Sequence, residues 1–200
     1  ALVMVHGDDN GLILPPEMAP FQVVVVPVFQ GKDVDRELVE KAQEIKEKLS
    51  EFRVEIDDRT EYSCGWKFNE WELKGVPLRI EIGPKELKDK EVTLVRRDTG
   101  KKSKVLFNNL KEEIKELLGV IQKDLFEKSK KHLLENTKEA SSYDEFKKII
   151  ENEKGFVQAF WCENAECEAK IKEETKATTR CLPHDAEKGN GKCIYCGKPA

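Results

Sequence analysis

Apolar and polar positions change period several times along the 200 residues, and each change predicts an element. "QVVVVPV", residues 22 to 28, is a run of β-branched residues without alternation, the mark of a strand buried on both faces. In residues 34 to 51, Val34, Leu38, Ala42, Ile45 and Leu49 recur at spacings of three and four, which predicts an amphipathic helix. "FRVEIDD", 52 to 58, returns to a strand pattern and completes a βαβ unit, whose crossover is expected to be right-handed. In "GWKFNEWELKGVPLRIEIGP", 65 to 84, a short helix over about 66 to 74 gives way to a strand over 77 to 83. Gly75 fits the helix stop; Leu78, Ile80 and Ile82 face one way, Arg79 and Glu81 the other. "EVTLVRRDT" (91 to 99) and "KVLF" (104 to 107) read as a hairpin around "TGKKS", and a long helix from about 109 runs past Leu117, Ile121 and Leu125. The pattern predicts a mixed sheet of four or five strands covered by helices, an α/β domain over about 21 to 125.

The flanks read differently. "ALVMVHGDDNGLILPPEMAP", 1 to 20, suggests a strand, a Gly/Asp turn, a second apolar run and a proline-rich exit, too little for a core of its own. It is expected to be the end of a preceding domain. Beyond 128, "FEKSKKHLLENT" and "SSYDEFKKIIEN" read as helices, the latter begun by Ser141 or Ser142; "GFVQAFWC" reads as a strand, "ECEAKIKEET" as a helix, and "ATTRCLP" as a strand. "EKGNGKCIYCGKPA" has the glycine-rich character of a metal-binding turn. The expected organisation is a linker remnant, 1–20, a mixed-sheet α/β domain, 21–128, and a small α/β domain, 129–200.

Composition adds that the chain is 38% apolar and 37% charged, with no run approaching the roughly 18 apolar residues of a membrane span. No basic segment followed by a hydrophobic stretch opens it, so a cytoplasmic, membrane-free protein is expected. The formal charge of −4 hides an asymmetry. Residues 33 to 61 carry six Lys/Arg against eleven Asp/Glu, whereas 85 to 104 carry eight against four. A basic strip of this size fits nucleic acid and equally fits a solvated hairpin.

Cysteine spacing is more specific. Cys162 and Cys167 have four residues between them, Cys193 and Cys196 two, and each pair can converge on one ion. Zinc is the default metal in a reducing compartment, and four thiolates leave no open position, so the ion would hold the fold rather than catalyse. Unliganded thiols and two disulfides are the alternatives. Cys181 and His184 lie between the pairs; the simpler reading makes Cys181 a core residue on a strand and His184 an exposed loop residue. Cys64 has no partner nearby and is expected to pack before its helix.

Other chemistry is sparse. "HGDD", 6 to 9, offers a histidine and two carboxylates for a metal or an acid/base pair, or simply a polar turn. Only the lone Gly31 follows the first strand of the βαβ unit, so no phosphate-cradling glycine loop is present, and three histidines give no complete nucleophile set. A single-stranded base would suit residues 65 to 85. Guanine offers two adjacent donors to the carboxylate of Glu72, and its carbonyl and ring nitrogen suit Arg79 or Lys85. Phe68, one turn before Glu72, could stack on the base. The rival reading packs Phe68, Trp66 and Trp71 on the sheet and leaves Glu72 in a surface ion pair.

"GWKFNEWELKGVPLRIEIGP" resembles the anticodon-binding domain of prolyl-tRNA synthetase of the archaeal and eukaryote-like type. "MVHGDDNGLILPPEMAPFQVVVVPV" resembles that family's passage from the class II catalytic core into the anticodon domain, and "LVRRDTGKK", "KGFVQAFWC", "ATTRCLP" and "KCIYCGKPA" resemble later landmarks in the same order. The resemblance implies an enzyme that forms prolyl-adenylate from ATP, with Mg, and transfers the prolyl group to tRNA(Pro), working as a homodimer through its catalytic domains. It implies that Phe68, Glu72, Arg79 and Lys85 contact the two guanines of the proline anticodon, and that Cys162, Cys167, Cys193 and Cys196 hold structural zinc. Arg97, Lys101 and Lys102 are candidates for the RNA backbone. The proline pocket, the ATP-binding arginines and most of the third class II motif would lie upstream of Ala1, and the family's terminal tyrosine is lacking, so the chain alone is expected to be inactive and no catalytic residue is assigned. The rivals are a free-standing zinc-containing tRNA-binding module and a metal-stabilised protein-interaction domain.

Overall fold

The computed structural model describes residues 1–29, 35–184 and 191–200 in two compact units, Ala1–Ser129 and Lys130–Ala200. In the first, α1 (Leu2–His6) precedes β1 (Val23–Pro27), α2 (Arg36–Lys48), β2 (Val54–Ile56), α3 (Cys64–Leu73), β3 (Leu78–Ile82), α4 (Pro84–Asp89), β4 (Glu91–Arg96), β5 (Lys102–Leu106) and most of α5 (Leu110–Glu135). The sheet order is β2-β1-β3-β4-β5, parallel across β2-β1-β3 and antiparallel across β3-β4-β5. The mixed five-stranded sheet is therefore present, with β1 buried along its whole length as its β-branched run predicts.

Strand alternation gives this sheet two unlike faces. Val23, Val25, Leu78, Ile80, Ile82, Val92 and Leu94 pack with Leu38, Ala42, Ile45 and Leu49 of α2 and with Leu110, Ile114, Leu118, Ile121 and Leu125 of α5. That is the main core. The opposite face carries the smaller cluster Val24, Val26, Trp71 and Val76, with Phe68 against it. Arg79 lies opposite Val24 in the β1-β3 register and opposite Val95 in β3-β4, so it emerges on this second face, under α3. Helix α3 starts at Ser63, whose hydroxyl accepts from the Trp66 N–H at 3.3 Å, and stops at Gly75, whose φ of +74° is readily reached only without a side chain.

Several expectations are corrected. Leu2–His6 is a short helix, not a strand; no described strand lies beside it, so its backbone groups close onto Ala1 and Val3 instead. The following Asp8–Gly11 turn is as expected, closed by reciprocal backbone bonds. Within the basic strip, α4 was not foreseen; Pro84 opens it and the Gly83 N–H donates to Glu86, signals short enough to be hidden among charges. Helix α2 begins at Arg36, capped by Asp35, and its expected first apolar residue Val34 lies outside the described residues, as does Gly31.

The second unit contains β6 (Thr137–Glu139), α6 (Tyr143–Asn152), β7 (Phe156–Gln158) and α7 (Ala165–Thr175), with β6 and β7 parallel. Ser142 and Asn164 cap the two helices through their side-chain oxygens. Its core is small: Ala140, Phe146 and Ile171 are buried, ringed by Tyr143, Ile149, Ile150, Val157, Ala177, Ile194 and Tyr195. "ATTRCLP" is not a strand, and Cys181 is exposed rather than part of the core, because no strand among the described residues offers it a ladder. His184 is exposed, as expected; residues 185–190 of the glycine-rich turn lie outside the described residues.

Candidate nucleic-acid interface and metal centre

Helix α3 and strand β3 together create one polar cluster on the second face of the sheet. Arg79 is 8% exposed, and its Nε and Nη2 donate to Glu81 Oε1 at 3.0 and 2.9 Å while Nη1 donates to Glu72 Oε1 at 2.8 Å. Three of its five N–H groups are thereby used, and the guanidinium carbon sits 4.2 Å from the centre of the Phe68 ring. Glu72 is more open, 35% exposed, and its Oε2 has no hydrogen-bond partner among the described residues. Lys85 is exposed in the first turn of α4 and makes no ion pair with a described residue. A cavity of about 280 Å³ opens beside Glu72 and Arg79, lined also by Asp8, Asn10, Trp71 and Arg97.

Beneath α3 lies a second polar group that residue spacing did not reveal. Asp57 is buried; its carboxylate accepts from Trp71 Nε1 at 2.7 Å and twice from Arg59 at 2.8 Å. Burial pushes the Asp57 carboxyl up, but the bonds from Arg59 and Trp71 outweigh it and hold the group below its ordinary range. Lys67 is also buried and caps the carbonyls of Asp57 and Arg59, both at 3.1 Å. Of the three aromatics expected on the sheet, Trp71 is there and Phe68 partly so, whereas Trp66 is exposed and stacked on Tyr62 at 3.9 Å. Glu81, which fixes Arg79, is its i+2 neighbour on the same strand face, a pairing that strand alternation alone makes legible.

In the basic strip, Lys101 and Lys102 are exposed, although Lys102 lies 3.3 Å from Glu81. Arg97 is different. Its guanidinium is 5% exposed and donates to both oxygens of Asp8, at 2.9 and 2.6 Å, and to the Glu72 carbonyl at 2.8 Å. The same Arg97 bonds depress the Asp8 carboxyl to about 2. His6 and Asp9 make no metal cluster with it among the described residues.

In the second unit the Sγ atoms of Cys162, Cys167, Cys193 and Cys196 all lie within 4.8 Å of one another. Cys162 is 3.7 Å from both Cys167 and Cys196, close to the roughly 3.8 Å edge of a tetrahedron with metal–sulfur bonds of about 2.3 Å. Burial pushes the Cys167 thiol up to about 12. Burial also opposes ionisation of Cys193, yet backbone N–H groups of Cys196, Cys162 and Tyr195 outweigh it and bring that thiol down to about 6. Backbone donors aimed at a sulfur suit a thiolate ligand, so the four cysteines can hold a metal ion. Cys181 and His184 are not among them.

Residues 22–117 match the family model described as the anticodon binding domain, and residues 143–200 match that described as prolyl-tRNA synthetase, C-terminal. The chain belongs to the prolyl-tRNA synthetase family. Its first match encloses Phe68, Glu72, Arg79, Lys85 and Arg97, and its second encloses all four clustered cysteines. Proline–tRNA ligase 2 of Clostridioides difficile (strain 630) is 49% identical over 100% of the chain, and the proline–tRNA ligases of Natranaerobius thermophilus and Lachnoclostridium phytofermentans are 48% and 46% identical over 98% and 100%. The chain spans 41% of the length of each of these relatives. No helix among the described residues is long and apolar enough to cross a membrane.

Proposed function

We propose that the chain is the tRNA-recognising C-terminal part of a proline–tRNA ligase and that its first unit reads the guanines of the proline anticodon. The observation carrying this reading is the pairing of Glu72 and Arg79 at one cavity, with Glu72 partly open, Arg79 held by Glu81 and the Phe68 ring against the Arg79 guanidinium. Arg79 donates to Oε1 of Glu72 and steadies the carboxylate, whose two oxygens can accept the two adjacent donors of guanine's pairing edge. Adenine, cytosine and uracil lack that donor pair. The two N–H groups of Arg79 left over, and the exposed ammonium of Lys85, can serve guanine's carbonyl and ring nitrogen. Phe68 is the stacking surface, worth about 1 to 3 kcal/mol per base.

The phosphate contacts fall to the exposed Lys101 and Lys102, while Arg97, 5% exposed, gives three of its five N–H groups to Asp8 and Glu72. In the second unit Cys162, Cys167, Cys193 and Cys196 would hold structural zinc, which would supply a crosslink and no chemistry. In the whole enzyme, ATP with Mg and proline form prolyl-adenylate, and the prolyl group passes to the terminal adenosine of tRNA(Pro). A cytoplasmic homodimer paired through catalytic domains completes the proposal; residues 1–20 are the passage from that core, 21–128 the anticodon domain and 129–200 the zinc domain.

The test is binding of the chain to tRNA carrying the proline anticodon and to the same tRNA with both guanines replaced by adenines, at physiological salt. The wild-type chain prefers the first, and Glu72→Ala removes most of that preference. Equal affinity for the two tRNAs refutes anticodon reading.

A further inference from the structure

Arg97 joins three segments that are far apart in sequence. It stands just beyond β4, donates from Nε to the carbonyl of Glu72 in the last turn of α3, and clamps both oxygens of Asp8 in the turn after α1. Around it the segment 11–14 lies along the end of the same helix. The Leu12 N–H donates to the Leu73 carbonyl at 3.0 Å and the Leu14 N–H to the Gly75 carbonyl at 3.2 Å. The approach is so close that a Cβ on Gly11 would lie 2.6 Å from Leu73 Cα, and one on Gly75 2.6 Å from Leu12 Cβ.

The last carbonyls of a helix have no partners within it. In α3 the Glu72 carbonyl accepts from the Gly75 N–H at 3.0 Å and also from Arg97, and the Leu73 carbonyl is met from outside by the Leu12 N–H. The residue whose carbonyl Arg97 grips is the residue whose side chain faces Arg79 and the cavity, and Asp8, Glu72, Arg79 and Arg97 all line that cavity. A displacement at the carbonyl of Glu72 therefore moves its carboxylate. Loss of Asp8 would leave a buried guanidinium with one remaining acceptor, a costly state that the side chain relieves by turning away from Glu72.

We propose that Arg97 is a positioning residue for Glu72, held in place by Asp8, so that guanine discrimination depends on the docking of residues 8–14 against α3. The proposal rests on the reading that Glu72 selects guanine. A phosphate contact by Arg97 is the rival role.

The experiment measures dissociation constants of the 200-residue chain for tRNA with the proline anticodon and for its guanine-replaced counterpart, in wild type, Asp8→Asn, Arg97→Lys and Glu72→Ala. Asp8 is 38% exposed on a turn, so Asp8→Asn keeps the fold even where Arg97→Lys does not. Both variants are expected to lower the discrimination ratio about fivefold or more, with affinity for the guanine-replaced tRNA unchanged. A purely structural role would lower the melting temperature and leave the ratio alone, which overturns the proposal. Equal weakening toward both tRNAs, with a shallower salt dependence in Arg97→Lys, overturns it in favour of a phosphate contact. A ratio abolished by Glu72→Ala yet untouched by Asp8→Asn and Arg97→Lys overturns this inference alone. A ratio that survives Glu72→Ala overturns the guanine reading and the positioning role together.

Discussion

If the four cysteines hold zinc as proposed, removing it is expected to unfold the second unit and spare the first. The apolar cluster of the second unit has few buried members among the described residues: Phe146, Ile171 and the small Ala140. Fully burying a phenylalanine or an isoleucine contributes roughly 1.5 to 3 kcal/mol, so this pair supplies about 3 to 6 kcal/mol before conformational entropy is charged against it. A closed site of cysteine and histidine ligands binds zinc with about 10 to 16 kcal/mol near neutral pH, more than the core can supply. The first unit has nineteen buried residues in its main cluster and none of the clustered cysteines. Chelation should therefore abolish hydrogen-exchange protection in α6 and α7 while amides of β1 and β3 keep theirs, read peptide by peptide by mass spectrometry. Cys193→Ser should do the same without chelator, since it replaces a buried sulfur on which backbone donors converge. Unchanged protection of α6 and α7 after stoichiometric loss of metal would refute the reasoning.

Three further outcomes test the first unit. Gly75→Ala places a side chain at φ +74° and against Leu12, and is expected to destabilise the unit by about 1 to 3 kcal/mol in urea denaturation. Trp71→Phe keeps an aromatic side chain, smaller than the indole, but deletes the 2.7 Å bond to buried Asp57, and should cost about 1.5 to 3 kcal/mol by the same measurement. Asp8 has its carboxyl depressed from 3.8 to about 2, so its bond to Arg97 stabilises the fold above the ordinary value and the contribution is lost as pH falls through the depressed one. The stability difference between wild type and Asp8→Asn should accordingly be largest above about pH 4 and shrink toward pH 2.

Period changes carried most of the fold into the sequence, because β1, β3 and β4 and helices α2 and α5 are each built from one dominant burial pattern. Short elements were less legible. Three residues of β6, Thr137–Glu139, are mostly exposed, so nothing in their polarity separates strand from loop. The four cysteines could be found from spacing, since each pair reaches one point within a single turn. Glu72, Arg79 and Phe68 could be found from their shared face. Arg97 could not be placed: in sequence it is one of eight basic residues between 85 and 104, and its partner Asp8 stands 89 positions away with no local sign of the pairing.

Replacing the anticodon guanine that faces Glu72 by inosine, with the two guanines of tRNA(Pro) exchanged one at a time, deletes only the exocyclic amine, one of the two donors assigned to Glu72, and leaves the ring N–H, carbonyl and ring nitrogen in place. Measured against wild type and Glu72→Ala, this gives a coupling energy between one carboxylate and one amine. A hydrogen bond to a charged group is worth about 1.5 to 3 kcal/mol, so the wild-type chain should lose roughly tenfold or more in affinity on the inosine exchange, and Glu72→Ala should lose almost nothing. The same inosine penalty in both proteins would contradict the account, because the guanines would then be read elsewhere.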